Sequence, residues 1–413
     1  MPSLVSFQEQ FGLSSGSDAV QLRHFVSIIY VGYTLGAAGS YLVNNRLGRL
    51  WSYRLYVAIY IIGQIISVFA RNRAALYAGR IVAGAGIGSV TAVGPIALVE
   101  IAPTEIRGLI TAWYPVMIST ALMASNLCVY GIYKHVPPSK LQYQIAWFSP
   151  CIYMALCIAS SFFLCESPRW LLLVNRRKEA IDTLVRLRGL PEDHPRVETE
   201  LQEIDEDIAR SKAEDPDSFK TLAREMFTEA GNLRRLQQII MAYALAQLSG
   251  ANSITSYFIP IMSMVGQASG DKGENIFLGG MYGLAKLFFT LISSFFFIDA
   301  LGRRKSLLVG VAIQGLSHIY IGAFIKKSQE GPVSEESSQA AIAALFIHAF
   351  GYAVGKFPHP NGRRISTQMS VANHLSQVFL FFHMSLDPNS GQTASVLSAQ
   401  RWAPPSTGRS FSP

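Results

Sequence analysis

The chain has 413 residues, of which 50% are hydrophobic and only 15% charged, and its 35 Lys and Arg against 27 Asp and Glu leave a net charge of +8. That balance argues against a soluble chain of two or three domains and points to an integral membrane protein. The four cysteines, Cys128, Cys151, Cys157 and Cys165, all fall in apolar windows without ligand spacing, so they read as small packing residues and argue against a disulfide framework or a metal site.

In chain order, residues 1–21 form a polar tail without the basic start, apolar centre and cleavage site of a secretory signal, so the first apolar window must serve as the membrane signal. Nine windows nearly free of charge follow, at 24–43, 54–70, 74–98, 109–132, 145–165, 237–263, 275–298, 305–325 and 339–355, with a weak tenth near 370–384. Each is close to the ~20 residues that a helix needs to cross the hydrocarbon of a bilayer. The polar stretch 166–236 separates five windows from the rest. Within it, Arg176 to Arg188 places Ala180, Ile181, Leu184, Val185 and Leu187 at helical spacing and stops at Gly189, while Val197 to Ile208 aligns Leu201, Ile204 and Ile208 on one face. These predict amphipathic helices lying against the inner ends of the spans. The stretch is too acid-rich, and too poor in stacking surfaces, for a nucleic-acid partner. Residues 387–413 are rich in Ser, Pro, Gly and Gln and predict a disordered tail.

Assigning alternate loops to one side collects most of the 35 basic residues there, including Arg46, Arg49, Arg107, the 166–236 stretch and Arg303/Arg304/Lys305. The positive-inside rule makes that side cytoplasmic and puts the N-terminal tail outside. One motif occurs twice on the cytoplasmic side, as Asn45-Arg46-Leu47-Gly48-Arg49 and as Asp299-Ala300-Leu301-Gly302-Arg303-Arg304, each directly after an apolar window. A repeat of this kind marks a polytopic protein built from two related halves. One window precedes the first copy and two precede the second within its half, so the first half is expected to lack its first helix and the second half its last one or two.

Further motifs stand as GRIVAGAGIG (79–88), PIALVEIAPTEIRG (95–108), ESPRWLL (166–172), RLRGLPEDHP (186–195), QLSGANSITSYF (247–258) and DALGRR (299–304). With these the chain resembles the sugar porter branch of the major facilitator superfamily, and it is most similar to the fungal quinate and hexose permeases. The resemblance implies an all-α polytopic membrane fold of two helical bundles, with nine or ten of the twelve transmembrane helices present. The expected divisions are an N-terminal bundle at 22–165, cytoplasmic linker helices at 166–236 and an incomplete C-terminal bundle at 237–386. Asn45 stands where the family usually carries Asp, Cys165 where a proline is usual, and Pro115 where a sugar-binding glutamine is common.

The residues themselves fit that frame. Gly84, Gly86 and Gly88 lie inside an apolar span with no preceding strand, so they are not a dinucleotide loop. Gly84 and Gly88 share one helix face and predict the close approach of another helix. Arg46, Arg49, Glu100, Arg107, Glu166, Arg169, Asp299, Arg303 and Arg304 sit at cytoplasmic helix ends, where opposite charges can pair in one access state and part in the other. The resemblance gives them the role of a gate, whereas solvated orientation charges would explain most of the basic ones. Gln247, Asn252, Thr255, Ser256 and Tyr257 put hydroxyls and amides inside a span, a cost that a watered cavity relieves. Gln247 and Asn252 both donate and accept hydrogen bonds, which suits a polyhydroxylated ligand. By resemblance Gln247 and Asn252 contact sugar and Tyr257 lies near the outer gate. Interhelical hydrogen bonding alone is the plainer alternative.

Lys286 sits near the middle of span 275–298, where an ammonium is costly unless it faces water or an anion. It can pair with a substrate carboxylate or with an acidic residue, or it can be structural. Arg80 matches a family arginine associated with proton coupling. The sequence thus reads as a multi-pass plasma membrane permease for a sugar or quinate-like polyol, driven by protons through resemblance, with no enzymatic chemistry and no cofactor. Its competitor is a non-transporting, sensor-like relative or an inactive truncated product.

Overall fold

In the computed structural model the described residues are 7, 10–11, 19–103, 105–214, scattered positions between 228 and 262, 272–294, 303–330 and 333–355. Every regular element among them is helical: α1 (Ala19–Leu47), α2 (Arg49–Val68), α3 (Arg73–Ile101), α4 (Arg107–His135), α5 (Lys140–Ser161), α6 (Pro168–Leu173), α7 (Arg177–Arg188), α8 (Pro195–Glu214), α9 (Lys272–Ile292), α10 (Arg303–Glu330) and α11 (Glu335–Gly355). Eight of these, α1 to α5 and α9 to α11, are long and apolar enough to span a bilayer, and each falls on one of the windows expected from composition. The window at 237–263 is described only at positions such as Ile254, Phe258 and Met262, which lie in the core of the second half. The weak tenth window lies outside the described residues.

Local chemistry sets the helix boundaries. Gly48 separates α1 from α2 at φ 90°, a left-handed conformation open to glycine at little cost. The Asn72 side chain caps α3 by accepting the Ala75 N–H at 2.9 Å. The Ser167 hydroxyl caps α6, where Pro168 fills the first turn. Gly189, at φ 65°, ends α7 where the sequence places the stop, and its N–H bonds the Val185 carbonyl at 2.8 Å. Helix α5 ends at Ser161, so Cys165 lies beyond the helix and not within the span that its apolar neighbours suggest.

The first half is organised around α3, which packs against both α1 and α2. Any Cβ at Gly84 or Gly88 would run into the α1 backbone at Ile29 or Tyr33, and one at Gly79 or Gly86 would meet α2 at Ser67 or Tyr60. The glycine cluster therefore removes side chains on two faces, so two helices approach one central helix closely. The face shared by Gly84 and Gly88 is the one expected from their spacing, and its partner is α1.

The halves meet through α4 and α9. Gly280 and Gly283 face Leu127 and Met123, the Asn126 amide donates to the Gly279 carbonyl at 3.1 Å, and the Ser119 and Thr290 hydroxyls lie 3.3 Å apart. Small residues and interhelical hydrogen bonds of this kind supply association where the surroundings are as apolar as the helices.

The polar stretch between the halves forms a small core of its own. Trp170, Leu171, Leu172, Ala180 and Ile208 are buried together, and Leu184, Val197 and Leu201 make a second cluster beside them. The predicted face Leu201/Ile204/Ile208 is the one that packs, but it packs mainly on α6 and α7 and not on the span ends. Before α1, Phe7 and Phe11 are buried against Phe25, Tyr143 and Trp147, and the Arg73 guanidinium donates to the Phe11 carbonyl at 2.6 Å. The opening polar segment thus contributes two anchored aromatic rings.

Candidate functional site

Three motifs far apart in sequence converge at the end of the bundle that carries Gly48. The Arg49 guanidinium forms a two-pronged pair with Glu100, Nε to Oε2 and Nη2 to Oε1 both at 2.8 Å, joining the start of α2 to the end of α3. Both side chains are nearly buried, at 8% and 9% exposure. The Ser167 hydroxyl donates to the same Glu100 carboxylate at 2.6 Å. Glu166 accepts from the backbone N–H groups of Arg49 at 2.9 Å, Leu50 at 3.1 Å and Ser167 at 3.0 Å, so its carboxylate caps the N-terminus of α2. A helix N-terminus presents unpaired N–H groups and a partial positive charge, and an anion there satisfies both. The Trp170 indole N–H reaches the Asn45 carbonyl at 3.1 Å. A Cβ at Gly48 would press on Glu166 and Trp170, so that glycine serves the packing as well as the turn.

Of the residues expected at this end, the structure brings together Arg49, Glu100 and Glu166. Arg169 turns instead to Asp207 on α8, at 3.8 Å. Arg107 donates to the Ala102 carbonyl at 3.3 Å, and Arg46 is exposed. Asp299 and the side chains of Arg303 and Arg304 lie outside the described residues. Three further residues, which lie inside the sequence motifs but are not singled out there as site residues, join the cluster: Ser167, Trp170 and Arg188. Arg188 on α7 is bidentate with Glu200 on α8 and donates to the Ile101 carbonyl at 3.1 Å, so it fastens the linker helices to the residue next to Glu100. A capping reading of Ser167-Pro168 would point to Ser167; the motif at 186–195 contains Arg188, but nothing local gives its contact with Ile101.

In the second half, Lys286 on α9 is 5% exposed and donates to the Thr255 hydroxyl at 2.8 Å. Its ammonium stands 3.9 Å above the Tyr352 ring and 5.8 Å from that of Tyr282. Tyr282 stacks on Phe258 at 4.3 Å, and its hydroxyl meets His348 Nδ1 at 3.3 Å. Of the polar residues expected in that window, Thr255 is the one described, and its hydroxyl meets Lys286. Gln247, Asn252 and Tyr257 lie outside the described residues. Arg80 on α3 lies beneath the buried aromatic group near the N-terminus, 4.2 Å from the Phe25 ring and 5.7 Å from that of Trp147. Its buried Nε meets no hydrogen-bond partner among the described residues, and the two ring faces give its charge cation–π contacts.

Among solved structures, that of the major facilitator superfamily proton:xylose symporter XylE bound to 6-bromo-6-deoxy-D-glucose has a TM-score of 0.76 at 20% identity, covering 95% of this chain and 85% of that one. A partially occluded inward-open XylE from E. coli has a TM-score of 0.74 at 17% identity, covering 99% of this chain and 94% of that one. At these identities the likeness shows the fold alone, a multi-pass all-α arrangement of the kind these transporters have. Residues 2–360 match the family model described as "Sugar (and other) transporter", and the chain belongs to that family.

Similar relatives are a probable quinate permease of Aspergillus flavus, 31% identical over 354 residues, or 84% of this chain and 65% of the relative, and a quinate permease of Emericella nidulans, 28% identical over 350 residues with the same coverage. The chain thus matches 65% of the length of these relatives.

Proposed function

We propose that this protein carries a sugar or quinate-like polyol across the plasma membrane by alternating access, driven by protons, with the Gly48 end cytoplasmic. The carrying observation is the buried Arg49–Glu100 pair, with Ser167 donating to the same carboxylate. Burying two charges is repaid only while both are present and well oriented, so the pair holds while the helix ends are together and is lost when they part. That is the property of a gate, and Arg46, Arg107, Glu166, Arg169, Asp299, Arg303 and Arg304 complete its charges in this reading. Gln247, Asn252 and Tyr257 supply the polar contacts to the ligand. Lys286 supplies a cation for the carboxylate of an acidic polyol. Arg80 is the candidate for proton coupling, since a guanidinium over aromatic rings responds strongly to any nearby change of charge.

The similarity to quinate permeases supports an acidic polyol over a neutral sugar. Uptake of labelled quinate and glucose in a transporter-deficient host tests the reading, comparing the chain with its Gln247→Ala, Asn252→Ala and Lys286→Ala variants. Quinate uptake that falls at least tenfold in each variant is expected. Equal uptake by all four proteins would reject the assigned site, and no uptake by a surface-expressed parent chain would favour a non-transporting role.

A further inference from the structure

A second set of buried titratable groups lies next to Lys286 and has no part in the reading above. His348 on α11 is fully buried, and its ring lies 4.9 Å from that of His318 on α10, edge to face at 78°. His318 Nδ1 is 2.7 Å from the Gln314 carbonyl. A carbonyl only accepts, so Nδ1 carries the hydrogen, and in the neutral ring the lone pair is left on Nε2. Both Nε2 atoms are buried, and among the described residues neither meets a hydrogen-bond partner. Two orphaned ring nitrogens in one place are costly to keep, and imidazole is the side chain that changes charge near neutral pH.

The groups facing this pair come from three helices. Tyr282 and Lys286 approach from α9 and Tyr352 from α11, while His318 itself is the contribution of α10. The Lys286 ammonium and the His348 ring flank the same two tyrosines, with His348 6.4 Å from the Tyr352 ring and hydrogen-bonded to the Tyr282 hydroxyl. Neither imidazole is hydrogen-bonded to a carboxylate among the described residues. In a low-dielectric interior the ammonium opposes a second positive charge so close by. An anion beside the ammonium removes the ammonium's share of that opposition, which adds to the cost of burial itself.

We propose that His318 and His348 form a proton-binding site, and that an anionic ligand at Lys286 loads it. The proton comes from solvent and adds to an imidazole Nε2, forming one N–H bond and a cation that the face of the other ring stabilises; no other bond changes. Linkage is reciprocal, so the proton tightens the anion by the factor by which the anion tightens the proton. The two would cross the membrane together as a nearly neutral pair. This coupling rests on Lys286 as the carboxylate partner, whereas the proton site does not.

The test has two arms, both on the purified full chain. In the first, quinate binding is followed by calorimetry in buffers of different ionisation enthalpy between pH 5 and 8. The parent chain is expected to take up about one proton per quinate, with Kd weakening by up to about tenfold per pH unit. His318→Gln and His348→Gln are expected to bind quinate with little pH dependence and no proton uptake. Binding without proton uptake by the parent chain, or unchanged uptake in both variants, would overturn the coupling. In the second arm, nitrogen NMR of labelled histidine compares the ligand-free parent chain with Lys286→Met. The variant's imidazoles are expected to hold a proton at a pH where those of the parent do not, and identical titrations would overturn the site. Should quinate fail to bind while the second arm succeeds, the substrate reading fails and the proton site stands.

Discussion

The cluster at the Gly48 end and the cluster around Lys286 bury charge in different ways. At the Gly48 end of the first half each buried ion has an answering group: Arg49 meets Glu100, Glu100 also receives Ser167, and Glu166 receives three backbone N–H groups. In the second half Lys286 meets a hydroxyl and two π faces, and the adjacent histidines keep ring nitrogens without partners among the described residues. A satisfied cluster is suited to holding a conformation, because breaking it exposes an uncompensated charge. An incompletely satisfied one is suited to receiving something, because a ligand or proton completes it. The difference teaches that holding and receiving are assigned to separate places in one fold.

The largest expected effect breaks the satisfied side. Glu100→Ala leaves Arg49 buried with its partner gone and should cost about 3–5 kcal/mol in thermal or denaturant unfolding. An Arg49→Leu/Glu100→Leu double variant should recover most of that loss. A double variant as unstable as the single one would show that packing, not charge pairing, holds these helix ends. Next in size, Gly88→Leu drives a side chain into the α1 backbone and should cost about 1–3 kcal/mol or prevent folding. Gly94→Leu, where a Cβ meets nothing within 4 Å, should leave the size-exclusion profile and melting temperature near those of the parent chain.

Ser167→Ala removes both the α6 cap and a donor to Glu100, for an expected loss of about 1–2 kcal/mol in the same unfolding measurement. Ser167→Thr should restore most of it. Of the variants in the two charged clusters, the smallest stability change is expected on the receiving side. Lys286→Met removes a buried ammonium together with its desolvation cost, so stability should stay within about 1 kcal/mol of the parent while quinate uptake is lost. If Lys286→Met destabilised as strongly as Glu100→Ala, the contrast between the two clusters would fail and Lys286 would be structural.

Part of this architecture is legible in the amino-acid sequence. The close-packing face of Gly84 and Gly88 follows from their spacing, because residues four apart share a helix face in any α-helix. The end of α7 at Gly189 follows from equally local rules. The burial of Phe7 and Phe11 is not legible: their spacing of four suits one helix face, but their partners Tyr143 and Trp147 belong to α5. Composition places Cys165 inside a span because apolar residues continue past the point where α5 ends. Lys286 stands out as a buried cation, but its contact with Thr255 depends on how two helices pack.

The sequence by itself determined eight spans among the described residues and the small-residue face of Gly84 and Gly88. Hydrocarbon thickness sets a length, and a backbone in lipid must satisfy its own hydrogen bonds, so the spanning unit is encoded residue by residue. Only the tertiary structure decided which charges meet. Arg49 finds Glu100 across 51 residues and caps against Glu166 across 117, and the ring of His348 finds that of His318 on a neighbouring helix. Such pairings depend on how helices rotate and cross, which side-chain packing sets jointly across the bundle and no local period records.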